Sequence, residues 1–526
     1  MRCLLLAIAL GVAIASPAAA QADAWWGHVT TLAHDSMRGR QTGSPEHRRA
    51  AEYVAAAFAR AGLVPAGSNG WFQPVRFRVR RTAEARSSVA LVRGGKTERL
   101  ALGKDATINL RSSTPGKTDA PLVFVGYGVR APEHGHDDLA GLDLKGRVAV
   151  VLAGAAPSGI SGPALAAGRE AGGDAMTESG VVGVIALYAP HSDQPWDRYA
   201  LSRLHPQMSV VPDSVAPVPS PWVNVVLSPA GAERLFAGTR QRFAAIQALA
   251  DSGAPLPRIE LSARLRATVA VDESEAVSDN VVGLLPGTDP ALAAEYVALT
   301  AHLDHLGVGE PVNGDSIFNG AMDNASGIAT LIETARALGA RTPRLRRPVL
   351  FVAVTAEEKG LLGSHFFAGH PTVPAGGGVV ANLNTDMFLP INPLRRLLVN
   401  GLEESDLADD VRRAAARVGV EVITDPEPER NAFVRSDQFS FIRRGIPALS
   451  LKVGFALGSP EHERVLRWRR ERYHGVDDET SQAVDRQAAA DFNRLYPEVV
   501  AEVANRAARP AWYPASAFRP EGTAGR

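Results

Sequence analysis

From residue 280 onward the chain repeats one pattern: a short apolar run, a polar break, then a longer stretch with apolar residues at helical spacing. The runs 280–285, 296–301, 349–355, 379–383 and 448–453 read as strands. The stretches 324–338, 404–418 and 485–507 read as helices, and in the first of them Ile328, Leu331, Ile332, Ala335 and Leu338 share one face. Strands this apolar are buried on both faces, which a sheet achieves when helices cover it on both sides. The expected fold is therefore α/β, with a mostly parallel central sheet flanked by helices. A further amphipathic helix is predicted over 45–61, carrying Ala51, Val54, Ala55, Phe58 and Ala59 and closed by Gly62 and Pro65.

The 526 residues suffice for roughly two or three domains. Residues 121–125, 148–152 and 181–187 are short apolar runs between glycine-rich stretches, which reads as a small β-rich domain ending near 275. Residues 115–118 look like its near boundary, and the tail from Pro514 is expected to be disordered. At the N-terminus Arg2 precedes an apolar run over 3–14 and a small-residue stretch over 15–20. That is the pattern of a cleaved signal peptide, and it falls short of the ~20 apolar residues that a membrane span needs. The expectation is an exported protein, periplasmic or secreted, without a membrane span. Cys3 is the only cysteine, which excludes a disulfide framework, a cysteine zinc cluster, an iron–sulfur site and a thiol protease. Lys plus Arg and Asp plus Glu each number 56, so a broad electrostatic footprint for nucleic acid is excluded.

Several common catalytic motifs are missing. No G-x-S-x-G elbow occurs. Gly95-Lys96-Thr97 and Gly116-Lys117-Thr118 lack the earlier glycine of a phosphate loop, and His462-Glu463 lacks its second histidine because Leu466 stands there.

Five segments carry acids and imidazoles, mostly at the ends of predicted strands, where open α/β sheets bind their ligands. AHLDHLG (301–307) brings His302, Asp304 and His305, and Asp304 is spaced to steady the His302 ring. NGAMDNASG (319–327) brings Asp323, which alone would be a helix cap. TAEEKGLLGS (355–364) brings Glu357 and Glu358, ordinary residues for a helix start. ANLNTDMF (381–388) brings Asp386, and RYHGVDDE (472–479) brings His474 in a loop. Each has a commonplace explanation taken singly. Together they form a mixed nitrogen and oxygen donor set suited to zinc. A pair of metals needs a bridging carboxylate, and catalysis needs one more carboxylate free to move a proton.

In this order and wording the segments resemble one family, the di-zinc aminopeptidases and glutamate carboxypeptidases, which includes the bacterial leucyl aminopeptidases. Residues 32–58 resemble that family's N-terminal helical region, and residues 120–260, with GLDLKGRVAVVLAG at 141–154, resemble a protease-associated domain inserted into the peptidase domain. The resemblance implies a zinc-exopeptidase-like fold divided into a signal peptide (1–20), a first part of the peptidase domain (21–115), the inserted domain (116–275), the catalytic remainder (276–513) and the tail (514–526).

The resemblance also implies roles. Asp323 would bridge two zinc ions, His302 and Asp386 would complete one ligand set, and Glu358 and His474 the other. Glu357 would be the general base and acid, Asp304 would orient His302, and Tyr473 would contact the substrate carbonyl. A cis peptide would join Asp323 to Asn324. Gly475 departs from the family pattern, where Thr or Ser often follows the Tyr-His pair, and His305 belongs to a variant of the first motif. The implied activity is hydrolysis of N-terminal peptide bonds by a water activated between the two zinc ions. The alternatives are a carboxypeptidase, with Arg435, Arg443, Arg444 and Lys452 as available cations, a receptor-like scaffold without catalysis, and a one-zinc acyl-transfer enzyme.

Overall fold

A computed structural model describes residues 17–110, 116–160, 162–189, 195–211 and 223–520. The expected signal peptide lies outside the described residues up to position 16. Helices α1 (Pro17–Leu32), α2 (Pro45–Arg60), α3 (Ser326–Gly339), α4 (Leu362–Gly369), α5 (Leu407–Ala416), α6 (Gln438–Ile442), α7 (Pro460–Glu471) and α8 (Arg486–Asn505) surround a ten-stranded sheet. Its strands are β1 (Val64–Pro65), β2 (Phe72–Thr82), β3 (Gln207–Val210), β4 (Val271–Leu285), β5 (Glu295–His302), β6 (Val349–Val354), β7 (Gly378–Asn384), β8 (Arg396–Asn400), β9 (Glu421–Ile423) and β10 (Ala448–Val453). The spatial order is β3-β2-β4-β6-β5-β7-β10-β8-β9, with β1 beside β4.

The expected parallel sheet is its centre. Strands β6, β5, β7 and β10 run parallel to one another, whereas β3, β2 and β4 on one flank and β8 against β10 on the other pair antiparallel. Burial follows this division. Every residue of β6 is buried, but β2 alternates buried and exposed positions along Val75, Arg76, Phe77, Arg78 and Val79. Helices α1, α2, α3, α5 and α8 cover one face through a core that includes Trp25, Phe58, Leu331, Phe351 and Tyr496. Helices α4 and α6 cover the other through Phe367 and Phe441. Phe351 is fully buried and meets Phe58 edge-on at 5.9 Å, so Phe351→Ala should cost about 3–5 kcal/mol.

A second sheet, in the order Lys96–Leu100, Ser88–Arg93, Ile259–Val269, Gly116–Gly126, Val148–Ala153, Gly183–Tyr188, Val223–Leu227 and Ala106–Ile108, has a core of its own around Leu91, Phe124, Ile185 and Leu265. It begins at Ser88, ahead of the boundary expected at 115/116. Ser88–Arg93 pairs with Arg264–Thr268, far along the chain, and local patterning carries no sign of such a partner. The second unit also lends β3 to the edge of the larger sheet, where it pairs with β2. The tail expected from Pro514 is packed through residue 520: Phe518 meets Phe433 at 5.3 Å and the Ser516 hydroxyl donates to Glu404 at 2.6 Å. Among the described residues no helix is long and apolar enough to cross a membrane.

Candidate metal centre

The parallel strands β5, β6 and β7 end side by side, so the polar residues just beyond them converge. His302 closes β5, Glu357 and Glu358 follow β6, and Asp386 follows β7. Asp323 enters from the turn before α3, and His474 from the loop after α7. The loop after β6 is fixed from within the sheet: Asn280 on β4 accepts from Thr355 N at 2.9 Å and donates to the Gly363 carbonyl at 3.0 Å.

Asp323 is central. Its Oδ1 lies 3.2 Å from His302 Nε2, which is also 3.4 Å from Asp386 Oδ1. Its Oδ2 lies 3.3 Å from His474 Nε2, which is also 3.3 Å from Glu358 Oε2. The two carboxylate oxygens thus face separate His–carboxylate pairs. One donor atom each from His302, Asp323 and Glu358 lies within 4.8 Å of the others, so the two groups adjoin. These separations exceed those of strong charged hydrogen bonds, about 2.7–2.9 Å. They match the spacing of ~3.4 Å between tetrahedral ligands each ~2.0–2.1 Å from a common zinc ion. Asp323 Oδ2 and Asp386 Oδ1 are buried without a hydrogen-bond partner, as acceptors awaiting a cation would be. The donor set and its geometry fit zinc.

Neighbouring groups aim these donors. The Asp304 carbonyl receives His302 Nδ1 at 3.0 Å, which leaves Nε2 with its lone pair toward Asp323 and Asp386. Asp304 therefore meets His302 through its backbone, where sequence spacing had suggested its carboxylate. The carboxylate instead accepts Glu357 N at 3.0 Å and the Thr42 hydroxyl at 2.9 Å. His305 donates from Nδ1 to Glu358 Oε1 at 2.7 Å and leaves Oε2 to face His474. The Asp323–Asn324 peptide is cis, and Asn324 donates to the Thr385 carbonyl at 2.9 Å.

Three positioning residues escaped sequence reading. Asp478 is buried and accepts the amides of Met322 and Asp323, each at 2.9 Å. It stands within the RYHGVDDE segment, where its acidity was the available signal. Arg40 is fully buried and donates to the carbonyls of Leu32, Leu303, Asn319 and Gly320, tying the approaches to His302 and Asp323 together. Arg198, from the short helix Trp196–Leu201, donates to the carbonyls of Tyr473 at 3.1 Å and Glu471 at 2.6 Å. A Cβ on Gly475 would sit 3.0 Å from the Arg198 guanidinium carbon and 3.1 Å from the Arg472 carbonyl oxygen, so a side chain there would press on the clamp.

The adjacent glutamates are driven apart. Burial raises the Glu357 carboxyl well above its ordinary value, and Glu358 and Asp386 add to this against the pull of His302. Burial acts on Glu358 in the same sense, but His474 and His305 overcome it and hold Glu358 well below. Burial and Glu358 also push Asp323 upward, and hydrogen bonds from His302 and His474 bring it below its usual range. Glu357 lines the same pocket yet forms no ion pair within 4 Å of either imidazole. Tyr473 stacks on His474 at 4.0 Å between ring centres, and burial pushes its phenol up to about 12, so it stays a neutral donor.

Residues 280–500, which hold His302, Asp323, Glu357, Glu358, Asp386 and His474, match the model of Peptidase family M28. Those residues are similar to that family's peptidase domain. The chain shares its fold with the aminopeptidase from Aneurinibacillus sp. strain AM-1, at TM-score 0.56 and 19% identity over 92% of this chain and 94% of that one. A second likeness is to BSAP, a zinc aminopeptidase from Bacillus subtilis, at TM-score 0.53 and 20% identity over 92% and 95% of the two chains. In sequence the chain is 28% identical to aminopeptidase YwaD of Bacillus subtilis strain 168 over 204 residues, 38% of this chain and 39% of that protein. The matched segments span no more than 39% of the first curated relatives' lengths.

Proposed function

We propose that the chain is an exported two-zinc exopeptidase that removes N-terminal residues from peptides. The supporting observation is the Asp323 carboxylate, whose two oxygens face separate His–carboxylate pairs at 3.2–3.3 Å. In this reading His302, Asp323 and Asp386 hold one ion, and Asp323, Glu358 and His474 hold the other. Zinc bound there would lower the pKa of a water molecule and polarise the scissile carbonyl. Glu357 stands clear of both ligand sets. Its raised carboxyl suits a group that takes the water's proton and returns it to the departing amine. The Asp304 carboxylate keeps Glu357 in place through its amide. Tyr473, neutral and facing the pocket, donates to the carbonyl oxygen as it gains charge. Site carboxylates hold the free α-amine of the substrate, which restricts cleavage to the chain end. The second sheet corresponds in this reading to a protease-associated domain, and its arm from 196 to 210 borders the His474 side of the centre.

The test is hydrolysis of free-amine and N-blocked peptides by zinc-loaded protein, with metal content measured in parallel. Release of N-terminal residues from free-amine peptides alone, with about two zinc ions per chain as a two-metal site requires, is the expected result. Cleavage of N-blocked peptides from the carboxyl end would replace this reading with a carboxypeptidase.

A further inference from the structure

Beside the ligands the pocket continues between β8, β10 and α7 and opens to solvent. Its walls there are apolar: Leu398, Val453, Phe455, Val465 and Trp468. Four cations interrupt them: Arg430, Arg435, Lys452 and Arg469. Lys452, on β10, lines the same space and is partly buried. Its ammonium makes no hydrogen bond or ion pair with any described residue, and Asp386, the carboxylate that attracts it most, lies beyond ion-pair distance.

The neighbouring cations differ. Arg469 is bound to Glu427 at 2.7 Å and Arg430 approaches the same carboxylate at 3.6 Å. Arg435 is exposed at the mouth. Lys452 is thus the partly buried cation of this pocket with no carboxylate in ion-pair contact among the described residues. An apolar side chain filling this space would strip water from the ammonium and give nothing back. A short aliphatic stem ending in a carboxylate would satisfy both the walls and the charge.

We propose that this pocket receives the side chain of the substrate's N-terminal residue and that Lys452 selects a carboxylate there, so that aspartate and glutamate are the preferred residues. The proposal rests on the aminopeptidase reading for the side chain's place, but the carboxylate recognition is measurable without turnover. The α-carboxylate of a C-terminal residue offers the same chemistry, and the experiment separates the two sources.

The experiment is calorimetric titration of the zinc-loaded full chain with L-glutamate, L-glutamine and L-leucine, repeated for Lys452→Met and Lys452→Arg. It is paired with kcat/KM for the glutamyl and leucyl p-nitroanilides and with cleavage of an N-acetylated dipeptide ending in glutamate. Zinc content and melting temperature show that the variants are folded. The expected result is that glutamate binds about 30-fold more tightly than glutamine or more. Lys452→Met should erase that margin, Lys452→Arg should keep most of it, and the glutamyl-to-leucyl ratio of kcat/KM should fall in parallel. Equal binding of glutamate and glutamine, or a margin unmoved in Lys452→Met, overturns the proposal. Equal weakening of all three amino acids by Lys452→Met, with cleavage of the acetylated dipeptide, overturns it in favour of terminal-carboxylate recognition. A Lys452-dependent margin with no free-amine substrate cut upholds the recognition and removes the aminopeptidase reading instead.

Discussion

The two halves of the centre, on either side of Asp323, are built differently. His302 and Asp386 stand at the ends of β5 and β7, which are hydrogen-bonded neighbours, so strand register sets their separation. Their side chains are 1% and 8% exposed. Glu358 also follows a central strand, but its partner His474 comes from a loop and is 26% exposed. His474 takes a left-handed backbone at φ 54°, unusual for a residue with a side chain, and the Arg198 clamp holds the carbonyls before it. The first half is therefore a product of the sheet. The second depends on an arm reaching over from the neighbouring unit, and it should be the weaker metal position.

The most severe way to break this comparison is Asp323→Ala, which takes a donor from both halves; turnover and zinc retention should both be lost, as followed by activity and metal analysis. Glu357→Gln should cut kcat by about 100–10,000-fold and leave zinc content intact, since the residue stands clear of both pairs. Loss of zinc in that variant would make Glu357 a ligand. Arg198→Ala should weaken the His474 half alone, with about 10–100-fold lower affinity for one zinc of two. Gly475→Thr should act in the same direction, because its Cβ would press on the guanidinium. Chelator titration of the wild type should correspondingly remove zinc in two stages, the His474 side first.

A separate effect is on acid stability and belongs to the sheet beneath the adjacent glutamates. His47 on α2 is buried and shares a hydrogen bond with Ser278 Oγ, which in turn contacts Thr355 ahead of the glutamates. Burial, assisted by Arg40 and Arg48, lowers its imidazole from 6.5 to about 3. The unfolded chain thus binds the proton more readily. The contribution of neutral His47 is complete above pH 6.5 and is lost as pH falls from there toward 3. Urea unfolding across that window should show a shallower loss for His47→Gln than for the wild type.

The same division explains what sequence made legible. Strands β5, β6, β7 and β10 are continuous apolar runs followed by polar residues, so their ends, and with them His302, Glu357, Glu358 and Asp386, could be placed by local pattern. His474 was visible through its tyrosine neighbour, but the helix α7 before it was hidden in a basic run, because its buried positions are just Val465 and Trp468. Arg198 and Arg40 act on main-chain carbonyls far along the sequence, and carbonyls leave no mark in residue type. The start of the second sheet at Ser88 was hidden for a related reason: long-range antiparallel pairing, not local alternation, decides which sheet a strand joins. Asp304 was legible as a residue of the site and not in its manner of acting, since its backbone and side chain divide the work between His302 and Glu357.

The most direct test of the central claim is anomalous diffraction at the zinc edge from crystals of zinc-loaded wild type and Arg198→Ala. The account predicts two peaks flanking the Asp323 carboxylate in the wild type, one among His302 and Asp386 and one among Glu358 and His474, with the second reduced in Arg198→Ala. A single peak, a peak away from Asp323, or equal loss of both in the variant would contradict it.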